Sequence, residues 1–218
     1  KENVLSNVIT QKTFGSNFCF SPDFCNTNNK VVYSAYSNGQ YDIFYIDPPW
    51  NNKKGGLRES RPNQTRELDY TTLNISDIFK IIDSKILTYA FDLHTVFIWA
   101  IDKTLFKCEQ EMEKRGYKQH ARIIWDKENG VAPAFTIRYA HEYLLWYYKP
   151  KMLLIDPNMR GKYTTVLREK IVRHSQKPEI AYKFIEDLYP TASKLELFAR
   201  NKRVGWTCWG NEISNDII

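Results

Sequence analysis

From Tyr41 onward, short apolar runs of strand length alternate with longer segments whose apolar residues have helical spacing. The strand-like runs are 41–46, 95–99, 121–125, 142–148 and 194–199, and the helix-like segments are 74–82, 103–115 and 178–185. Such alternation is typical of a mostly parallel sheet, because parallel neighbours are joined by crossover helices. The sequence therefore predicts an α/β, Rossmann-like fold with helices on both faces of the sheet and ligands at the carboxyl ends of the strands.

The N-terminal stretch differs in composition from the rest of the chain. Residues 1–40 are rich in Asn, Ser and Thr, and we interpret them as an irregular lead-in packed on the domain, with one strand at Val31–Tyr33. Residues 41–218 form the main domain, since 218 residues with 43% hydrophobic content suffice for one core. No apolar run is long enough to cross a bilayer, and the first residues lack a secretory layout, which predicts an intracellular protein, nuclear if the source is eukaryotic.

Cysteine spacing and net charge narrow the class of protein further. The four cysteines are scattered without C-x-x-C spacing and form no motif with the four histidines, which predicts reduced structural thiols and no metal site. A net charge of +6 and a pI near 9.0 favour an anionic partner. Charge of this size is also common on proteins that bind no polyanion, so it does not select a function.

The segment Asp47-Pro48-Pro49-Trp50 follows directly on the first strand of the main domain. The N6 amine of adenine is a poor nucleophile, because its lone pair is delocalised into the ring. The carboxylate of Asp47 and the carbonyl of Pro48 can each accept one N–H of that amine, while Pro49 fixes the backbone. Trp50 offers a flat face on which a flipped-out base can stack. The alternative is that the prolines only end a strand and Trp50 is a core residue.

Four further segments accompany this motif in a fixed order. They are His174–Glu179, Leu195–Arg200, Gly205-Trp206 and Trp209–Glu212. Together with residues 47–50 they resemble the MT-A family of N6-adenine methyltransferases, which includes METTL-type mRNA enzymes and a ciliate DNA methyltransferase. The resemblance covers residues 41–212 and implies an S-adenosylmethionine-dependent methyltransferase domain. It also implies a circularly permuted order, in which the catalytic strand precedes the cofactor strand but lies beside it.

The resemblance assigns a cofactor-binding set to this chain, namely Asp47, Lys177, Glu196, Phe198, Arg200, Asn211 and Glu212. Lys177 is expected to meet the methionine carboxylate of the cofactor. Glu196 lies on an apolar strand where an unpaired carboxylate is costly, so a ribose diol is an attractive partner, and an ion pair with Arg200 or a lysine is the alternative. The sequence departs from the family at Ala199, where a glycine is usual, and over 201–203. No acidic residue upstream of Asp47 stands out for the cofactor adenine.

Basic clusters at 53–66, 160–173 and 200–203 are candidates for binding the phosphates of a nucleic acid. Solvated surface charge is the alternative, above all for 160–173. The substrate-binding set that we predict is Trp50, Lys53, Lys54, His141 and Glu142. His141-Glu142 begins a strand where relatives carry an acidic residue near the substrate, and an ordinary structural pair is the competing interpretation.

Several functions compete. The resemblance implies a heterodimer with a catalytically inactive paralogous subunit, with additional DNA-binding subunits, and the intact motif with Lys177 indicates that this chain is the active subunit. We expect DNA as the substrate, with RNA N6-adenosine methylation as the alternative. The chain could also be a silent scaffold subunit or a nucleic-acid-binding module without chemistry, or it could methylate cytosine N4 or a protein glutamine.

Overall fold

The computed structural model describes residues 18–25, 30–37, 39–51, 72–128, 139–171 and 176–210. The chain divides into two units, residues 1–40 and 41–218. In the first unit, β1 (Phe18–Cys25) and β2 (Lys30–Ser37) pair antiparallel, with Phe18 opposite Ser37. The prediction of an irregular lead-in with one strand is therefore wrong over these residues. The phenylalanines at 18, 20 and 24 have the even spacing of a strand, and Pro22 interrupts the pattern.

The second unit contains one seven-stranded sheet. Its elements are β3 (Tyr41–Ile46), α1 (Ile75–Tyr89), β4 (Ala90–Ala100), α2 (Asp102–Lys114), β5 (Lys118–Asp126), β6 (His141–Lys149), β7 (Val166–Arg168), α3 (Glu179–Leu188), β8 (Lys194–Leu197) and β9 (Thr207–Trp209), with a 3-10 turn at Pro157–Met159. The strand order is β7-β5-β6-β4-β3-β8-β9. Only β6 runs against its neighbours β4 and β5, whereas the other described pairs of this sheet are parallel. The predicted mostly parallel α/β fold is confirmed.

The first strand of this unit lies beside a strand from near its end. β3 pairs in parallel with β4 on one side and with β8 on the other, and Ile46 is opposite Leu197. Asp47 and Phe198 consequently leave neighbouring strands at the same edge of the sheet. This is the permuted order that the resemblance implied, with the motif strand first in sequence and the expected cofactor strand next to it in space.

The two faces of the sheet are covered by different helices. Phe44 and Ile46 of β3 belong to the cluster that contains Phe79 of α1 and Met112 of α2. Ile43 and Tyr45 belong to the opposite cluster, which contains residues 181, 184, 185 and 188 of α3. Because β3 is covered on both faces, its sequence is a continuous apolar run instead of an alternating one.

The ends of the helices follow from local side chains. Asn74 caps α1 by accepting a hydrogen bond from the backbone N–H of Asp77 at 2.9 Å. The first N–H groups of α3, from Glu179 and Ile180, donate to the carboxylate of Glu169 at 2.8 and 2.7 Å. This carboxylate follows β7 and fixes the start of α3 at the carboxyl edge of the sheet. Of the helices that the structure describes, none is long and apolar enough to span a membrane.

Candidate active site

The turn after β3 is held by backbone hydrogen bonds on both sides. The N–H of Asp47 donates to the carbonyl of Leu197 on β8 at 3.3 Å, and the N–H of Trp50 donates to the carbonyl of Pro48 at 2.8 Å. Leu73 donates to the carbonyl of Pro49 at 2.9 Å, so the turn is also tied to the segment before α1. Among the described residues the Pro48 carbonyl accepts one backbone hydrogen bond, and a carbonyl oxygen has a second lone pair that can accept another N–H.

Trp50 lies in the core and not on the surface. Its side chain packs in the cluster under α1 and α2, the residue is 8% exposed, and its indole N–H donates to the carbonyl of Trp99 at 3.0 Å. The expectation that Trp50 presents a face to a flipped-out base is not supported by this position. The core interpretation fits it, because an indole N–H buried with a carbonyl partner anchors the turn.

Asp47 is held by a buried lysine. The ammonium of Lys177 lies 3.1 Å from Asp47 Oδ1 and 2.6 Å from Glu142 Oε2, and 4.8 Å from the centre of the Trp99 ring. Lys127 contacts the other oxygen of Glu142, Oε1, at 2.6 Å. The structure therefore brings together three residues that we predicted separately, Asp47 as catalytic, Lys177 as cofactor-binding and Glu142 as substrate-binding.

Burial and these contacts set the charges of the group. Burial raises the pKa of Asp47 above the usual carboxyl value, and the nearby Lys177 ammonium only partly opposes it. Burial also pushes the pKa of Glu142 up, but the ammonium groups of Lys177 and Lys127 outweigh it and the net shift is down. The two carboxylates likewise keep the pKa of Lys177 above its usual value in spite of burial. Glu142 and Lys177 are therefore ionised at neutral pH.

A cavity of about 270 Å³ opens at the carboxyl edge between β3 and β8. It is lined by Asp47, Gln176, Lys177, Glu179, Tyr182, Glu196, Phe198, Arg200, Asn201, Lys202 and Arg203. Glu196 is 6% exposed, accepts a hydrogen bond from the Tyr182 hydroxyl at 2.9 Å and lies 3.9 Å from Cys208 Sγ. Burial raises the pKa of Glu196 to about 7. Five of the predicted cofactor residues line this cavity, namely Asp47, Lys177, Glu196, Phe198 and Arg200.

The turn after β8 is strained at one residue. Phe198 has a φ of 63°, in the left-handed region that bulky residues avoid. The N–H of Ala199 donates to the Trp209 carbonyl at 2.9 Å, and the rings of Phe198 and Trp209 meet edge to face with centroids 5.9 Å apart. β9 thus fixes the turn that lines the cavity.

Two predicted binding residues have other partners. Arg203, in a cluster expected to contact phosphates, donates to Glu186 and Glu179 at 2.9 Å each and lies 4.2 Å from the Tyr182 ring. The phosphate prediction is therefore not supported for this guanidinium, which ties α3 to the segment before β9. His141 lies 3.0 Å from the Tyr143 hydroxyl and 3.7 Å from Asp102, which fits the competing interpretation of an ordinary structural pair.

Four of the predicted site residues lie outside the described residues, namely Lys53, Lys54, Asn211 and Glu212. Sequence reasoning missed Lys127 and Tyr182, which contact Glu142 and Glu196. Lys127 follows the end of β5 just as Asp47 follows the end of β3, and this shared strand-end position was the signal that could have found it. Within the described ranges, no group of three or more His, Cys, Asp or Glu side chains is placed to hold a metal ion.

The permuted, mostly parallel sheet carries Asp-Pro-Pro-Trp at its carboxyl edge and a cavity over the neighbouring strand, which is the arrangement expected of a methyltransferase fold. The MT-A70 family model matches residues 41–212, and the chain belongs to this family. The resemblance inferred from the motifs is thereby confirmed.

Three relatives illustrate the range of the family. Type II methyltransferase M.MunI of Mycoplasma sp is 25% identical over 203 residues, which are 86% of this chain and 84% of that protein. A probable N(6)-adenosine-methyltransferase MT-A70-like protein of Oryza sativa subsp. japonica is 25% identical over 185 residues, 81% of this chain and 23% of that protein. The N(6)-adenine-specific methyltransferase METTL4 of Mus musculus is 25% identical over 194 residues, 79% of this chain and 37% of that protein. The chain spans most of the Mycoplasma protein and well under half of the other two.

Proposed function

We propose that this chain transfers a methyl group from S-adenosylmethionine to the N6 amine of adenine in a nucleic acid, with DNA favoured over RNA. The observation that carries the proposal is the placement of Asp47 and the Pro48 carbonyl on a rigid turn beside the cavity. Membership in the MT-A70 family and the names of the relatives support the reaction class.

The residues of the cavity fit the proposed cofactor. Glu196 is a buried carboxylate whose contacts are the Tyr182 hydroxyl and the Cys208 thiol, so it can accept hydrogen bonds from a ribose diol. An ammonium has three N–H donors. Lys177 uses two of them for Asp47 and Glu142, and the third is available to the methionine carboxylate. Phe198 and Arg200 line the same cavity, and Asn211 and Glu212 are assigned to it by resemblance alone.

The chemistry proposed for Asp47 follows from its surroundings. When bound, S-adenosylmethionine supplies an electrophilic methyl group. Asp47 and the Pro48 carbonyl would each accept one N–H of the adenine amine, which makes the nitrogen lone pair available for attack on that methyl group. As the new N–C bond forms, the sulfur–methyl bond would break, S-adenosylhomocysteine would leave, and the methylated nitrogen would release one proton to water. Burial gives Asp47 a raised pKa and hence a stronger acceptor oxygen, and Lys177 fixes the direction of the carboxylate.

The choice of polymer and the partners are part of the proposal. The relatives carry both N(6)-adenine and N(6)-adenosine names, and RNA is therefore the second candidate substrate. The base edge is the same in the two polymers, and discrimination depends on the 2′-hydroxyl and backbone shape. We also propose, from the resemblance, a heterodimer with a catalytically inactive paralogous subunit, and a nuclear location if the source is eukaryotic.

The test is to incubate the chain, alone and with its copurifying partners, with S-adenosylmethionine and DNA or RNA oligonucleotides of one sequence. Mass spectrometry of the digested nucleosides is expected to show N6-methyladenine, mainly in the DNA. Calorimetry with S-adenosylmethionine provides the second readout, with 5′-methylthioadenosine, which lacks the methionine carboxylate, as the weaker-binding control. The absence of cofactor binding even with a partner present would leave a binding module or scaffold as the function.

A further inference from the structure

Lys127 is a buried cation that does not touch the cavity. It follows the end of β5, its backbone N–H donates to the carbonyl of Ala140 at 2.8 Å, and its side chain is 9% exposed. Its ammonium lies 2.6 Å from Glu142 Oε1 and 5.0 Å from the centre of the Trp125 ring. Burying an ammonium is costly unless it is paired, so the contact with Glu142 accounts for its position.

The contact continues as a row of alternating charges that ends at the proposed active site. Glu142 uses one oxygen for Lys127 and the other for Lys177, and Lys177 in turn contacts Asp47. The two ammonium groups balance the two carboxylates, so the row has no net charge. Every member is largely buried, and each inner member has a partner on both sides.

We propose that Lys127 is a positioning residue for methyl transfer. Lys127 fixes the carboxylate of Glu142, and that carboxylate in turn keeps the Lys177 ammonium beside Asp47. This inference rests on the proposed function. Without Lys127, both oxygens of Glu142 have only Lys177 as an ammonium partner in this row. The attraction then draws Lys177 towards Glu142, and Asp47 loses part of its ion pair.

A structural role alone makes a different prediction. If Lys127 only stabilises the contact between the end of β5 and the start of β6, replacing it lowers the stability of the protein but leaves the titration of Asp47 unchanged. The two roles are therefore separated by a measurement on Asp47 itself, made on the free protein and independent of activity.

The experiment compares Lys127→Met with Lys127→Arg and with Lys118→Met, an exposed lysine at the other end of β5. Carboxyl groups are labelled with ¹³C, and the Asp47 signal is assigned by its loss in Asp47→Ala. The expected result is that Lys127→Met raises the pKa of Asp47, whereas Lys127→Arg and Lys118→Met leave it at the wild-type value. In a Glu142→Gln background, Lys127→Met is expected to leave the pKa of Asp47 unchanged, because the ion pairs that link Lys127 to Lys177 through Glu142 are already absent.

Activity provides the second readout. The kcat for methylation is expected to fall about tenfold in Lys127→Met and to recover in Lys127→Arg. The KM for S-adenosylmethionine is expected to rise in Lys127→Met as well, because the displaced Lys177 is also the proposed partner of the methionine carboxylate. If Lys127→Met does not fold, Lys127→Gln keeps a donor to Glu142 and is expected to show the same direction of both changes.

The failure of this inference is distinguishable from the failure of the proposed function. An unchanged Asp47 titration in Lys127→Met, or a full effect of that substitution in the Glu142→Gln background, would overturn the positioning role. A wild-type protein that methylates no nucleic acid would overturn the proposed function, and the Asp47 titration would still decide whether the row of charges acts as a unit.

Discussion

Two buried carboxylates near the carboxyl edge of the sheet have opposite surroundings. Glu142 lies between the ammonium groups of Lys127 and Lys177, which outweigh burial and lower its pKa. Glu196 contacts the Tyr182 hydroxyl, and burial raises its pKa to about 7. Carboxylates whose environments move their pKa values apart are suited to different tasks. Glu142 maintains a fixed charge, and Glu196 is available to a polar group that enters the cavity.

The raised pKa of Glu196 predicts a pH-dependent effect of Glu196→Gln on stability. An unfolded glutamate titrates near about 4.3, so the native state retains a proton that the unfolded state has released. The free energy of unfolding of the wild type therefore falls as the pH rises from about 4 to about 7, where the native carboxyl itself ionises. We expect the free energy of unfolding of Glu196→Gln, relative to wild type, to rise by on the order of 4 kcal/mol between pH 4 and pH 8.

Urea unfolding at both pH values measures this difference. Glu113→Gln, on the exposed face of α2, is the control for loss of a carboxylate without burial. An equal effect of Glu196→Gln at pH 4 and pH 8 would show that Glu196 does not bear the desolvation cost that its position indicates.

The sequence pointed to Asp47 because it follows a strand and to Glu196 because it lies on an apolar strand. Lys177 and Glu142 were predicted from the resemblance to the family. The burial of Trp50 and the pairing of Arg203 were not predictable in the same way. Trp50 donates to a carbonyl on β4, and Arg203 contacts acidic groups on α3. These partners are distant in sequence and depend on how the elements pack.

At the scale of elements, the close approach of β9 to the turn after β8 shapes the cavity. A Cβ added at Gly210 would lie 2.0 Å from the carbonyl oxygen of Ala199, inside the range of any real contact. The adjacent residues Phe198 and Arg200 line the cavity. A side chain at 210 would therefore push apart the two strands that hold this turn.

We expect Gly210→Ala to lower the free energy of unfolding by about 3 kcal/mol and to weaken S-adenosylmethionine binding, because the backbone of Ala199 must shift. The comparison is Gly161→Ala. Gly161 has a φ of 74° and nothing within 4 Å of the added Cβ, so only backbone strain of about 1 kcal/mol is expected there, with unchanged cofactor affinity. Thermal unfolding and calorimetry measure both effects. Equal losses of stability and of cofactor affinity in the two variants would contradict the close approach of residue 210 to the carbonyl of Ala199.

The long elements of the main domain were predictable, since β3, β4, β5, β6 and the three helices each have a clear period or a buried apolar run. The short strands β7 and β9 were not, because three residues cannot show a period. The antiparallel direction of β6 was not predictable either. The 121–125 and 142–148 runs are similar in composition, and direction is set by the pairing with β4 and β5.

At the scale of the whole molecule, the permuted sheet places β3 and β8 side by side although about 150 residues separate them. The turn after each strand lines one cavity, so the roles proposed for Asp47 in amine polarisation and for Glu196 in cofactor binding would be carried out at adjacent strand ends. The family match over residues 41–212 was predictable from motif order. The partners were implied by the resemblance, and the charge of +6 agrees with an anionic substrate.

The most direct test of the central claim is methyl transfer by Asp47→Ala. This variant and the exposed-site control Asp92→Ala are assayed with S-adenosylmethionine and adenine-containing oligonucleotides, and N6-methyladenine is quantified by mass spectrometry. Asp47→Ala is expected to lose at least about a hundredfold in kcat while it still folds, because one of the two acceptors for the amine is gone. Asp92→Ala is expected to match wild type. Full activity in Asp47→Ala, or a methyl group found on a base other than adenine in the wild-type reaction, would contradict the claim.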